Sequence, residues 1–265
     1  MEIAERIAGG ERKGGIVRGK LADLDSIPPP DRRSLRLGDY GENSGALLTS
    51  RGCPYGCLFC ATRYIFGREL RAASPSRVIE EWELLRREGV PKTRIVDDVF
   101  SLDRERAAEI CGRVLELGLG PWSLPNGVRV DNVDEELLEL MADSGLTTIW
   151  YGVESGCERV LRVLKKGIDL ERVREVVEWT KELGVAVGLF FMVGAPGEDL
   201  EAVRETVDFV HEVEPDCVHF SIATPYPNTE FWEWVEENGR FLTKDYERFE
   251  RESVFETPST HSRID

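Results

Sequence analysis

The stretch Arg51-Gly52-Cys53-Pro54-Tyr55-Gly56-Cys57-Leu58-Phe59-Cys60 places three thiols within eight residues, at spacings of four and then three. Glycine and proline between them let a short irregular loop curve until the thiolates face one point. A structural zinc ion takes four protein ligands. No fourth cysteine or histidine adjoins the loop, although Cys111, Cys157 or a histidine can reach it through the fold. An iron–sulfur cubane has four irons, so three thiolates leave one iron open to bind and polarise a substrate or cofactor. The residues by themselves leave both metals open. A secreted disulfide framework is the wrong pattern, because it belongs to smaller chains with denser cysteines than six in 265 residues.

The loop follows a short apolar run at 46–50, the first of six that read as strands. The others fall at 94–97, 122–130, 147–151, 185–193 and 217–223. Between them apolar residues recur at helical spacing. Val78, Ile79, Trp82 and Leu85 make one stripe behind the Ser74-Pro75 start, and Ala107, Ile110, Cys111 and Val114 make the next. Leu137, Leu138 and Met141 form a third, a shorter helix is expected at 157–167, and stripes from Leu170 to Thr180 and from Leu200 to Val210 complete the set. Strands alternating with helices pair in parallel through right-handed crossovers, as an open doubly wound sheet or a partial barrel. Either architecture puts its chemistry at the carboxyl ends of the strands. The polar clusters do follow strands: residues 53–60 the first, Asp97-Asp98 the second, Glu154-Ser155 the fourth, 194–198 the fifth and 224–228 the sixth.

Outside this core, residues 1–45 are Gly-rich, balanced at eight basic and eight acidic side chains, and interrupted by Pro28-Pro29-Pro30. They read as a linker or wrapping segment. Residues 46–240 form the core, and 241–265 a polar tail with a short helix and a frayed end. A net charge of −16 argues against a nucleic-acid partner, since phosphates would be repelled before specific contact. No run suits a membrane span or a secretory signal, so the expected location is the cytoplasm.

Cys53-x-x-x-Cys57-x-x-Cys60, with Phe59 just before the last cysteine, resembles the cluster loop of the radical S-adenosylmethionine (SAM) superfamily. The resemblance spans about residues 45–239. It implies a partial (β/α)6 TIM-type barrel of parallel strands with outer helices. It also implies Cys53, Cys57 and Cys60 as ligands of a [4Fe–4S] cluster, an open iron that chelates the amino and carboxylate groups of SAM, and Phe59 beside the adenine. Asp97-Asp98-Val99-Phe100 stands where the family has a Gly-Gly-Glu type turn for the SAM amino group, and an ammonium needs acceptors; capping a helix is the other use of Asp98. Tyr151-Gly152-Val153-Glu154-Ser155-Gly156 resembles a Gly-x-Glu-Ser-Gly signature, with Glu154 and Ser155 toward the ribose or methionine, or serving as an N-cap.

Gly194-Ala195-Pro196-Gly197-Glu198 resembles a Gly-x-Pro-Gly-Glu motif, in which Gly194, Pro196 and Gly197 bring bare backbone near the adenine. Thr224-Pro225-Tyr226-Pro227-Asn228-Thr229 resembles a Pro-Tyr-Pro-Gly-Thr motif with Asn228 in place of glycine. Asparagine tolerates positive φ, so the turn is kept; the resemblance implies Tyr226 at the cofactor, and a Pro-rich turn that merely ends the strand is the other reading. Arg129, near the end of the third strand, is a candidate partner of the SAM carboxylate or half of a structural ion pair. The catalytic residue is unknown; His219, alternating with Ser221 on the sixth strand, and Cys157, behind Gly156, are the candidates. Cys111 and Cys217 read as core.

The leader from Leu21 to Arg32 is similar to the linker that joins a cobalamin-binding domain to the radical SAM domain in the cobalamin-dependent branch. Only about 45 residues precede the loop, too few for that domain, and its Asp-x-His-x-x-Gly motif is absent. Cobalamin would then come from a separate domain or subunit; otherwise the domain has been lost or the chain is a fragment. The resemblance implies a reduced cluster that passes one electron into SAM, giving methionine and a 5′-deoxyadenosyl radical, with ferredoxin or flavodoxin as electron donor. With cobalamin the favoured outcome is methyl transfer to an unactivated carbon of an unidentified small molecule; without it, rearrangement, dehydrogenation or cyclisation. Two other classes are an iron–sulfur electron-transfer or scaffold subunit without SAM cleavage, and a zinc-binding structural module.

Overall fold

The computed structural model describes residue 9, residues 21–249 and residues 252–257. The chain passes from β1 (Ala46–Leu47) into β2 (Ser50–Arg51), the short helix α1 (Thr62–Ile65) and β3 (Arg71–Ala72), which pairs antiparallel with β2. Helices and strands then alternate: α2 (Pro75–Arg87), β4 (Thr93–Ile95), α3 (Arg104–Glu116), β5 (Trp122–Val128), α4 (Glu135–Asp143) and β6 (Leu146–Glu154). The alternation continues with α5 (Glu158–Val163), α6 (Leu170–Glu182), β7 (Ala186–Val193), α7 (Leu200–Val213) and β8 (Cys217–Ile222). Last come α8 (Glu230–Asn238) and an antiparallel pair, β9 (Arg240–Phe241) with β10 (Phe255–Glu256).

The main sheet has six strands in the order β1-β4-β5-β6-β7-β8, every pair parallel. Its spatial order follows chain order without reversal. A doubly wound sheet reverses at a switch point, so the architecture is the partial barrel with outer helices. Side chains that start the helices are those expected to cap them: Ser74, Asp103, Asp134 and Asp199 each accept from a backbone N–H three residues on. The core lies between sheet and helices, where Trp122 of β5 meets Trp82 and Phe100 edge to face, with centroids 5.8 and 5.9 Å apart.

Four features depart from expectation, each for a local reason. The first strand stops at Leu47, because Thr49 and Ser50 turn their hydroxyls onto the buried carboxylate of Asp97. The third ends at Val128, after a register shift around Pro125-Asn126-Gly127, and Arg129 stands at the entry to a short 3-10 turn. The last strand is the sheet's edge and largely exposed, so Cys217 is not core. Its neighbour α8 turns Phe231 and Val235 instead into a second core with Leu58, Met192, Phe249, Val254 and Phe255. The described part of the expected tail therefore carries buried residues. In the leader, Arg32 donates to the Ala46 carbonyl and pairs with Glu81 at 3.0 Å, and Arg77 donates to the Ile27 carbonyl, which ties this segment along β1 and α2. Among the described residues no helix is long and apolar enough to cross a membrane.

Candidate functional site

The cysteine loop leaves β2 at the carboxyl end of the sheet. Gly52 makes the exit possible: its φ is +94°, and a Cβ there would lie 2.2 Å from the Glu69 carbonyl oxygen. The far side of the loop is anchored twice. Leu58 N–H donates to the Leu164 carbonyl at 2.9 Å, and the Leu58 carbonyl accepts from Phe231 N–H at 3.0 Å. All three thiols are partly buried and unbonded to one another. Burial pushes the Cys53 and Cys57 thiols up, while Lys166 and Arg129 pull Cys57 back toward the thiolate. Among the described residues no three His, Cys, Asp or Glu side chains converge as a single-ion site. A cubane asks for a different arrangement, one thiolate on each of three irons.

The loop borders a cavity of 690 Å³ whose wall includes Phe59, Asn126, Glu154, Phe190, Met192, His219 and Tyr226. Phe190 packs against Trp150, with centroids 4.6 Å apart, and His219 meets it edge-on at 5.7 Å, so an aromatic ladder crosses β6, β7 and β8. Glu154 stands at the end of β6 in a left-handed conformation, φ +76°, and accepts from Lys166 Nζ at 2.8 Å. That strained backbone holds a carboxylate on the cavity wall. Asp98 faces Thr62 beside the loop, and burial raises its carboxyl above the usual carboxylate range.

Several expected site residues are occupied elsewhere. Asp97 is consumed inside the protein by Thr49 N–H, the Thr49 hydroxyl and the Ser50 hydroxyl at 2.5–2.6 Å, tying β1 to β4. Ser155 is buried; its hydroxyl pairs with Thr206 and accepts from Cys157 N–H, so it fastens α5 to α7. Cys157 packs among Val160, Leu164, Ala195 and Ala202, away from the cavity wall, and burial pushes its thiol up. Gly194, Pro196 and Gly197 form the turn just beyond Met192, closed by Glu198 accepting from Gly194 and Ala195 N–H. Asn228 holds the φ of +67° that its motif asks for.

Arg129 makes the structural ion pair and more. Its fork grips Asp131 at 2.9 and 2.7 Å, Nη1 donates to the Lys166 carbonyl at 2.8 Å, and the guanidinium lies 3.8 Å over the Tyr55 ring. The same Nη1 is 4.0 Å from Cys57 Sγ. Lys166 was not foreseen from sequence. A Lys-Lys-Gly run ending a short apolar helix was its only signal, and solvated surface is the ordinary reading of such a run, yet here it is 7% exposed.

An open α/β barrel with a three-cysteine loop at its carboxyl mouth is the arrangement that the sequence resemblance implies. The chain belongs to the radical SAM superfamily, whose sequence profile matches residues 47–210. That superfamily works with a [4Fe–4S] cluster and SAM. The chain is 34% identical over 248 residues to an uncharacterized methyltransferase of Pyrococcus horikoshii, covering 90% of this chain and 54% of that protein. It is 34% identical over 238 residues to cytidylyl-2-hydroxyethylphosphonate methyltransferase of Streptomyces wedmorensis, covering 82% and 44%. It thus spans about half the length of these curated relatives. Among solved structures, the radical SAM methyltransferase TsrM from Kitasatospora setae, with tryptophan and a SAM analogue bound, superposes with a TM-score of 0.72 at 21% identity, covering 83% of this chain and 45% of that one.

Proposed function

We propose that Cys53, Cys57 and Cys60 hold a [4Fe–4S] cluster with one iron left to SAM, in the radical SAM part of an enzyme that methylates an unactivated carbon with the help of cobalamin. The observation that carries this reading is the thiol loop bordering the 690 Å³ cavity, with two cations behind Cys57. When bound, the cluster and SAM together supply a one-electron reductive cleavage of SAM.

The remaining residues bind and orient. Asp98, beside Cys53, is the acceptor for the SAM ammonium, and Glu154, steadied by Lys166, accepts from a hydroxyl of the ribose. Phe59, Met192 and Tyr226 give the adenosyl group an apolar wall that keeps water away. Asn126 donates to the Val96 carbonyl at 2.8 Å and keeps its amide oxygen for a ligand. His219, exposed on the edge strand, is the candidate that meets the substrate. Cobalamin, from a separate domain or subunit, is supported by the likeness to TsrM, whose solved structure holds cobalamin and a [4Fe–4S] cluster. A ferredoxin or flavodoxin supplies the electron, and a reducing cytoplasm keeps the thiols free.

The test is anaerobic reconstitution with iron and sulfide, then dithionite and SAM, with chromatographic detection of 5′-deoxyadenosine. Wild type is expected to form the product, and Cys57→Ala to lose it by at least about a hundredfold, as for a step that depends on an intact metal site. A chain that binds zinc in place of the cluster, or product formation undiminished by Cys57→Ala, would overturn the assignment.

A further inference from the structure

We infer that Arg129 is the positioning residue that sets the reduction potential at Cys57, with Asp131 as its counterweight; the inference rests on the cluster assignment above. Arg129 is 6% exposed and does not line the cavity. Its donors are engaged by Asp131, the Lys166 carbonyl and the Cys57 sulfur, and Tyr55 of the loop itself stacks beneath it. The guanidinium is therefore fixed before any cofactor arrives. The second cation near Cys57, Lys166, is paired with Glu154 at 2.8 Å and acts on the sulfur through space, whereas Arg129 is the one whose N–H also reaches the sulfur. Asp131 is 37% exposed on its side chain, and water weakens its hold on the charge of Arg129.

A 2+ cubane on three thiolates carries a net charge of −1. One electron from a low-potential one-electron donor makes it −2, with no bond made or broken and no proton moved. A fixed cation that also donates to a ligand sulfur stabilises the more negative state, which raises the potential. Removing the cation lowers the potential, and removing its neutralising carboxylate raises it. A residue that only held the loop in place would not give opposite signs for two partners of one ion pair.

The experiment is a potentiometric titration of the reconstituted protein, followed by the electron paramagnetic resonance of the reduced cluster. Arg129→Met is expected to lower the reduced-to-oxidised ratio at fixed potential about tenfold, about 59 mV for one electron. Arg129→Lys restores most of the shift, and Asp131→Asn moves the potential upward. If Arg129→Met assembles no cluster, Asp131→Asn decides alone, and a potential equal to wild type overturns the inference. Downward shifts in both variants also overturn it. A wild type that takes up no [4Fe–4S] cluster instead overturns the reading of the cysteine loop on which it rests.

Discussion

Gly52 sits at φ +94° with the place of its absent Cβ against the Glu69 carbonyl, so an alanine there must distort either its own backbone or the β2–β3 turn. Gly52→Ala is expected to cost about 1–3 kcal/mol in urea unfolding of the iron-free protein, and to lower iron retained per chain after reconstitution. Stability and iron content equal to wild type would show that the loop can shift freely. Side-chain placement at this scale was readable from sequence where a motif is built from rare residues in tight spacing. The three cysteines, Phe59, Glu154 and Tyr226 all stand around one cavity or its loop. It was not readable where two adjacent polar residues divide the labour. Asp97 and Asp98 share a motif, yet one turns inward to Thr49 and Ser50 while the other faces the loop. Sequence alone does not say which residue of a pair at a strand end points back into the barrel wall. Ser155 takes the N-cap side of its two readings, accepting from Cys157 N–H, and its other partner, Thr206, is 51 residues away.

Helices were readable as elements because stripe, cap and stop agree. α4 shows the arrangement: Leu137, Leu138 and Met141 face the core, and Asp134 accepts from Leu137 N–H at 2.8 Å. Arg104 beside Asp134 holds its carboxyl below the usual carboxylate range. The folded state therefore binds that proton more weakly than the unfolded chain does. Its stabilising contribution is complete above about pH 4, the ordinary Asp value, and fades as pH falls through the lowered folded value. Asp134→Ala is expected to destabilise by about 1 kcal/mol at pH 7, and the gap from wild type to narrow as the pH drops below that range. Urea titrations across pH 2–7 check both, and a gap independent of pH would remove the carboxylate from the explanation. Strand ends were less readable, since what ends β1 is a side chain just beyond β4 and what exposes β8 is a helix that packs elsewhere. Apolar alternation looks the same on a covered strand and on an uncovered edge.

At the scale of the whole molecule, the parts farthest apart in sequence meet behind the cysteine loop. Leu58 belongs to the same buried cluster as Phe231 and Phe255, although nearly two hundred residues separate the ends of that cluster. Phe255 lies 4% exposed, edge-on to Phe231 at 5.2 Å. Phe231 N–H in turn holds the Leu58 carbonyl at 3.0 Å. A polar, charged tail gave no hint of this, because three buried residues in a short stretch make no periodic signal. The packing nevertheless makes the last strand pair a brace for the loop that carries the thiols. Phe255→Ala is expected to cost about 3–5 kcal/mol from lost burial and the cavity it leaves. A remote control separates bracing from general instability: Leu138→Ala, in the main core, costs a comparable 2–5 kcal/mol without touching this cluster. With the two variants compared at equal folded fraction, Phe255→Ala should release iron faster on anaerobic dilution into chelator. Equal release rates would mean that the loop keeps its shape without the brace, and that the second core serves stability alone.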